Sequence, residues 1–502
     1  MAHSRFKAGL IWLHKWLGVA LCLVFAMWFA SGIVLYFVPF PTLSEGDRLA
    51  GLPAIELDSD CCLDADEAAR RSGLEVQAAR LGMYAGRPVW RVLAASADRP
   101  FDRTHRWQTL DARTGALLPV LDASQAAALA EAFSGRRSRA VEPLERDQWT
   151  VAQDLNPYRP LYKVRLVPGV QGDDGLELYV SAHGAEVVRD TRRVERFWNW
   201  LGAVPHWIYP TVLRQFPGAW HHVVVWLALP GVVLAVSGVV LGVWQLFLNP
   251  SRWIPYRKVW ARWHHILGLV AAVFTFTWIF SGLLSMNPLG VFSTGKPDTA
   301  ELRRWTGRPA APALPISSAW RIAREQGWHP REIGMVNVGD QSWYLMRDAS
   351  RRLLARADHG RSAAFDRLPD ELMTGTLAGM RGPGPMQVDY LQTYDSQYYS
   401  RHPESPDSRW QRPLPIWRAA WNDGITIYAD PGSGRILLRA DRSRRWQRML
   451  YNGLHSLDFA PLLERPRLRD TLVVGLSVLG LAMCLTACVL AWRVVAPQRR
   501  RP

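Results

Sequence analysis

Four stretches of this sequence, 10–37, 222–247, 266–284 and 472–492, are apolar for about the ~20 residues a helix needs to cross a bilayer. On length alone, 502 residues would divide into about three soluble domains. The apolar blocks instead predict an integral membrane α-helical bundle of four spans. The first block follows Arg5 and Lys7, as the core of a cleaved leader would. It outruns the ~7–15 apolar residues of a signal peptide, and the pattern recurs inside the chain, so the block reads as a retained helix.

Lysine and arginine near the span ends set the expected orientation. The short segments "HSRFK", "PSRWIPYRKVWAR" (250–262) and "PQRRRP" are all basic, which places both termini in the cytoplasm and the two long segments outside. The expected division runs as tail and first span (1–40), outer domain (41–198), lead-in and second span (199–248) and cytoplasmic loop (249–261). The third span (262–290), second outer domain (291–447), lead-in and fourth span (448–494) and cytoplasmic tail (495–502) follow. The net charge of +16 thus partly reports topology, and no basic patch joins a nucleic-acid motif. Cys22, Cys484 and Cys488 lie in apolar blocks, whereas Cys61 and Cys62 are adjacent in the outer segment and suit a strained or intermolecular disulfide. With no CxxC or CxxCH, zinc ribbons and covalently attached c-type haem are disfavoured.

Sliding the sequence on itself by 250 residues superposes the first and third blocks: His14 meets His264, Gly18 meets Gly268, Trp28 meets Trp278, and Ser31-Gly32 meets Ser281-Gly282. A shift of 249 superposes the second and fourth, with His206 on His455 and Gly231 on Gly480. The expected architecture is therefore two duplicated two-helix halves about a pseudo-two-fold axis along the membrane normal. Between the helices the outer segments mix short helices, "LDADEAARRSG" and "SAWRIAREQG", with β-rich runs. "GLELYVSAHGAEVVRD" and "GITIYADPGSGRILL" carry the turn chemistry of hairpins, which predicts small α+β modules.

Seven of the thirteen histidines sit at helix doorways: His14, His264 and His265 at cytoplasmic ends, and His206, His221, His222 and His455 at or before outer ends. Ionisable groups beside membrane helices usually face a bundle interior or cavity; beside Trp12, Trp16, Trp260 and Trp263 they also suit a plain interfacial belt. Two-fold symmetry would point His14 and His264 at one point on the inner side, and His206 and His455 at another on the outer side. A closed metal site needs about four ligands, and no Asp, Glu or Cys lies beside these positions in the helices. Haem iron needs only two axial ligands, which leaves no position for oxygen chemistry and implies electron transfer.

At this point the motifs "LHKWLG…WFASG", "RFWNWLGAVPHWIYP" (196–210), "RWHHILG…WIFSGLLSM" and "YNGLHSLDFAP" (451–461) resemble the PepSY-associated transmembrane family, which includes siderophore reductases. The hairpins "LYVSAHGAEVVRD" and "IYADPGSGRILLRAD" resemble PepSY modules. For reductase members the resemblance implies haem b in the bundle, two haems here, and reduction of a ferric siderophore or other ferric chelate at the periplasmic face of a bacterial inner membrane. The matching haem ligands are His14, His206, His264 and His455, with His222 and His265 as extra candidates. Lys15 stands opposite His265 and Thr471 opposite His222, so pairings of His222 with His455 or His265 with His14 also stay open.

For the ferric substrate, the tyrosine-rich run 388–402 offers Asp395, Tyr398 and Tyr399, although tyrosines in a β-rich module also serve packing. Arg192, Arg193 and Arg196, and Arg442, Arg444, Arg445 and Arg448, suit lipid phosphate, haem propionates or an acidic chelate. No GxGxxG follows a strand, so the electron donor is expected to be a quinol or a separate reductase. Two other readings stand beside the oxidoreductase. One is a non-enzymatic PepSY protein that binds a ligand or restrains a peptidase, its histidines acting as anchors. The other is a metal transporter, for which intramembrane carboxylates are too few.

Overall fold

The computed structural model describes residues 2–96, 105–170, 172–248, 254–381 and 386–496. The basic stretches 250–253 and 497–502, used above for orientation, lie outside them. The chain forms two compact units: Met1–Phe40 with Glu195–Ser293 and Ser443–Pro502, and Pro41–Val194 with Thr294–Arg442.

Among its described residues the first unit holds four long helices, Ala2–Phe37, Pro217–Leu248, Val259–Ser285 and Pro466–Val495. Each is long and apolar enough to cross a membrane. They are hydrophobic all round rather than on one stripe, the pattern of helices that face other helices on one side and lipid on the other. Leu21, Phe25, Phe29, Leu234, Ile279 and Leu283 pack between them, while Leu23 and Val273 point outward, 72% and 74% exposed. Small residues bring the helices together: a Cβ on Gly480 would fall 2.4 Å from the Phe29 ring.

Short helical lead-ins precede the second and fourth long helices. Ala203–His206 and Thr211–Arg214 come before Pro217; Leu454–Ser456 and Ala460–Leu463 come before Pro466. Proline suits the first helical turn because that turn needs no N–H donor there. In each lead-in the chain turns through the left-handed region two residues after a histidine, at Ile208 (φ 49°) and Leu457 (φ 53°). Bulky residues avoid that region, Ile208 most of all because it is β-branched, so both turns are held by their surroundings.

The second unit is built on antiparallel sheets. β1 (Leu74–Tyr84), β2 (Arg87–Ser96) and β3 (Arg106–Asp111) form one edge of a seven-stranded sheet. β4 (Ser138–Leu144), β5 (Leu161–Leu166), β6 (Glu177–Ser181) and β7 (Glu186–Thr191) make a separate four-stranded sheet. β8 (Glu332–Val338), β9 (Gln341–Arg347), β10 (Arg352–Arg356) and β11 (Ala364–Phe365) complete the seven strands. β12 (Met386–Leu391), β13 (Ile416–Trp421), β14 (Thr426–Asp430) and β15 (Arg435–Ala440) form the second four-stranded sheet. The two segments between the long helices share one sheet, because β1 pairs with β8, Arg80 opposite Gly334 and Leu81 opposite Ile333.

Local chemistry explains these elements. The run "LDADEAARRSG" forms the helix Ala65–Ser72, with the Asp64 carboxylate accepting from the Glu67 N–H at its start and Gly73 in the left-handed conformation at its end. The two hairpin sequences form β6–β7 and β14–β15. Cys61 and Cys62 are joined in a disulfide, and Cys61 is buried in the core of the large sheet.

A buried charge network crosses the sheets of this unit. Glu332 on β8 lies 2.9 Å from Arg48 and 3.3 Å from Arg80, and also meets Arg347. Arg80 lies 2.7 Å from Glu186 on β7. Burial alone would raise the Glu332 carboxyl, but the guanidiniums of Arg48, Arg347 and Arg80 outweigh it and hold it well below the usual carboxylate range.

Candidate functional site

The structure brings four of the predicted histidines together in two pairs, both within the helical unit. His14 and His264, near the starts of the first and third long helices, have ring centres 6.4 Å apart. His206 and His455, each in a lead-in, have ring centres 6.1 Å apart. The first pair lies near the start of the first helix, whereas the second meets it at Trp28, Ser31 and Gly32. The seventeen residues from His14 to Ser31 cover roughly 25 Å of helix.

Each ring is oriented by its Nδ1. His14 Nδ1 is 3.1 Å from Ser237 Oγ, and His264 Nδ1 is 3.1 Å from Thr486 Oγ1. Ser237 donates its own proton to the Leu234 carbonyl, and Thr486 donates to the Met483 carbonyl. A hydroxyl has one proton to give, so both must accept from the imidazole, which fixes Nδ1 as the N–H. At the other pair, His206 Nδ1 lies 3.2 Å from the Trp28 carbonyl and His455 Nδ1 3.2 Å from the Trp278 carbonyl. A carbonyl only accepts, so Nδ1 again carries the proton. Ser31 and Ser281 flank the same nitrogens at 3.2 and 3.0 Å.

All four imidazoles are thereby set in the tautomer whose lone pair is on Nε2. Histidines that bind metals are oriented in this way, the other ring N–H donating to a carbonyl or hydroxyl that raises ligand basicity. Two metal–imidazole bonds of about 2 Å each, placed end to end, put ring centres roughly 6 Å apart, the spacing of both pairs. Among the described residues, no group of three or more His, Cys, Asp or Glu stands close enough to hold a bare metal ion. Each pair instead presents two imidazole nitrogens, a donor set that would suit a group needing two nitrogen ligands.

The backbone makes room for these rings. A Cβ on Gly238 would sit 2.8 Å from His14 Cε1, and one on Gly32 would sit 3.2 Å from His206 Cε1. Beside Ser237, the first two long helices line an open apolar groove of ≈350 Å³ formed by Phe6, Leu10, Leu13 and Val232. Aromatic rings fill the bundle core along the helix residues between the two pairs: Phe29 lies 6.3 Å from Phe274 and 5.8 Å from Trp278.

The other predicted residues fall elsewhere. His222 begins the second long helix and packs against His221 with ring centres 5.6 Å apart. His265 is buried and meets the Tyr256 ring edge-on at 5.3 Å. Tyr398 is fully buried, stacked on Tyr428, and its hydroxyl donates to the Pro413 carbonyl. Burial pushes that hydroxyl far above the ordinary tyrosine range, which opposes the phenolate form that ferric iron binds. The Asp395 carboxylate accepts from the Tyr428 hydroxyl at 2.8 Å and lies 3.5 Å from Arg418; Tyr399 is half-buried nearby. Arg192 and Arg193 pair with Asp174 and Asp173 at 2.5 Å each, and Arg448 donates to the Asp458 carbonyl.

Sequence reasoning missed Ser237 and Thr486 as partners of His14 and His264. The available signal was that they occupy matching places, 249 residues apart, in the same superposition that aligned the histidines.

Among known proteins, a family model described as PepSY-associated TM region matches residues 11–331, more than half of the chain. No curated protein matches it.

Proposed function

The chain belongs to the PepSY-associated TM region family, and from that premise we propose that it is a haem-containing oxidoreductase of the bacterial inner membrane. It passes electrons across the bilayer to a periplasmic ferric substrate, a siderophore or other ferric chelate, and releases ferrous iron for uptake. In this reading the two halves arose by duplication, both termini are cytoplasmic and the sheet unit is periplasmic.

The observation that carries the reading is the pair of imidazole pairs, every Nδ1 fixed as a donor by the helices around it. His14 and His264 would hold one haem b, and His206 and His455 a second. Haem held by these residues would supply one-electron exchange between ferric and ferrous iron. The chain orients the ligands through Ser237, Thr486 and the Trp28 and Trp278 carbonyls, and its apolar helices exclude water from the path between the pairs. A quinol or a separate reductase donates the electrons, one for each ferric ion reduced.

The test is single-turnover oxidation. Protein reduced anaerobically and mixed with a ferric hydroxamate chelate should return to its oxidised spectrum while a ferrous-specific chromogenic chelator detects one Fe(II) per electron lost. Reduced protein that stays reduced over minutes, or reoxidises without forming Fe(II), would contradict the ferric substrate.

A further inference from the structure

The lead-ins to the second and fourth long helices align at a spacing of 249 residues from the histidine onward. Thr211–Arg214 corresponds to Ala460–Leu463, Pro217 to Pro466, and the strained Ile208 to Leu457. Within this shared frame Tyr209 corresponds to Asp458 and Trp220 to Arg469.

In the second half those two positions form a buried ion pair. Arg469 Nη1 lies 3.6 Å from the Asp458 carboxylate, Arg469 Nε donates to the Tyr36 hydroxyl at 3.0 Å, and both charged side chains are shielded from solvent. The guanidinium there has an anion supplied by its own chain.

The first half also places a guanidinium at these positions, but brings it from the short helix, with no carboxylate paired to it among the described residues. The charge of Arg214 lies 4.5 Å from the centre of the Trp220 ring and 5.1 Å from that of Tyr209. Both rings stabilise a cation through their faces, yet neither accepts its N–H groups in plane. Arg214 Nε and Nη1 are shielded from solvent and have no hydrogen-bond partner among the described residues. Guanidinium N–H groups shielded from water without an acceptor are unfavourable unless an oxyanion completes them. The cage is continuous with the outer histidine pair: Trp220 Nε1 donates at 3.0 Å to the carbonyl of Trp207, the residue after His206.

We propose that Arg214 is the receptor for an oxyanion, a carboxylate or phosphate that enters with a ligand of the helical unit. The carboxylate source is a propionate of the haem held by His206 and His455, so this part rests on the function proposed above. The phosphate source is the headgroup of an anionic phospholipid. Position favours the propionate, because the cage adjoins His206 through Trp207. Arg214 is then a positioning residue that also sets the potential of that haem, since a cation nearby favours the less positive, reduced state.

The experiment uses the full chain in nanodiscs of phosphatidylglycerol and phosphatidylcholine, as wild type, Arg214→Gln and Arg214→Lys. Haem per chain comes from pyridine haemochrome, the potentials from spectroelectrochemical titration, and retained phosphatidylglycerol from native mass spectrometry. For a propionate, R214Q should keep both haems but shift one of them, the one lost in His455→Ala, to lower potential and alter its propionate band in resonance Raman. R214K should stay near wild type, which separates charge from misfolding. Unchanged potentials with one fewer phosphatidylglycerol in R214Q alone would assign the oxyanion to lipid and keep the receptor. No change in potential, Raman band or lipid count would overturn the proposal. Wild type without haem would instead sink the haem reading, and the lipid count alone would then decide Arg214.

Discussion

His14 and His264 stand with ring centres 6.4 Å apart, and each gives its Nδ1 proton to a hydroxyl on a neighbouring helix that has already committed its own proton to a backbone carbonyl. Neither ring can therefore accept at Nδ1, and the lone pair of each is on Nε2. His206 and His455 reach the same state with carbonyl acceptors. The pairs are thus built alike but from different partners, which makes them separable by mutation.

His14→Ala and His264→Ala should each remove one haem and leave the other with its spectrum intact; His206→Ala and His455→Ala should remove the complementary one. Low-temperature difference spectra of the four variants check this. Loss of both haems in every variant would indicate a single shared site or general unfolding.

Ser237→Ala takes away the acceptor that orients His14. Removing such an outer partner typically weakens metal affinity about 10–100-fold, so haem should wash out of the inner pair during purification while the outer pair stays loaded. Ser281→Ala should do less, because the Trp278 carbonyl still accepts from His455. Haem retention after extended dialysis against apomyoglobin measures the difference.

Gly238→Ala places a methyl 2.8 Å from His14 Cε1, whereas a methyl on Gly475 meets nothing within 4 Å. G238A should lose or distort the inner haem with the ligand itself unchanged. G475A, which replaces a helical glycine, should bind haem normally and gain up to roughly 1 kcal/mol of helix stability. Equal behaviour of the two would show that the close approach to His14 is unimportant.

Acid should unfold the sheet unit through Glu332. Its carboxyl is depressed in the native state, so the stability it contributes is present above its unfolded pKa, about 4.3, and is lost as pH falls below that toward the native value. Glu332→Gln leaves Arg48, Arg80 and Arg347 crowded without their central anion. Breaking such a pair costs about 3–5 kcal/mol. The variant should melt well below wild type at pH 7, and the gap should narrow as both are titrated below pH 4, as read by near-UV circular dichroism.

The spans, the hairpins and the histidine pairs were legible in the sequence because each depends on local pattern: twenty apolar residues, a glycine turn between alternating runs, the same residue at one spacing. What stayed hidden depends on three-dimensional neighbours. Ser31 and Ser281 read only as small residues, since nothing in one chain segment says that a ring from a lead-in some 175 residues away will rest on them. The duplication singles out His264 as the partner of His14, but successive helix positions diverge by about 100°, and only packing shows that His265 meets the Tyr256 ring. Tyr398 suits an oxygen donor or a packing residue in sequence alone, and its stacking on Tyr428 is visible only in the fold.

The most direct test of the whole account is the haem content of protein purified from haem-sufficient cells. Pyridine haemochrome should give two haems b per chain, with a Soret band that shifts on dithionite reduction and low-spin spectra typical of two imidazole ligands. A colourless preparation, folded and free of haem, would contradict it.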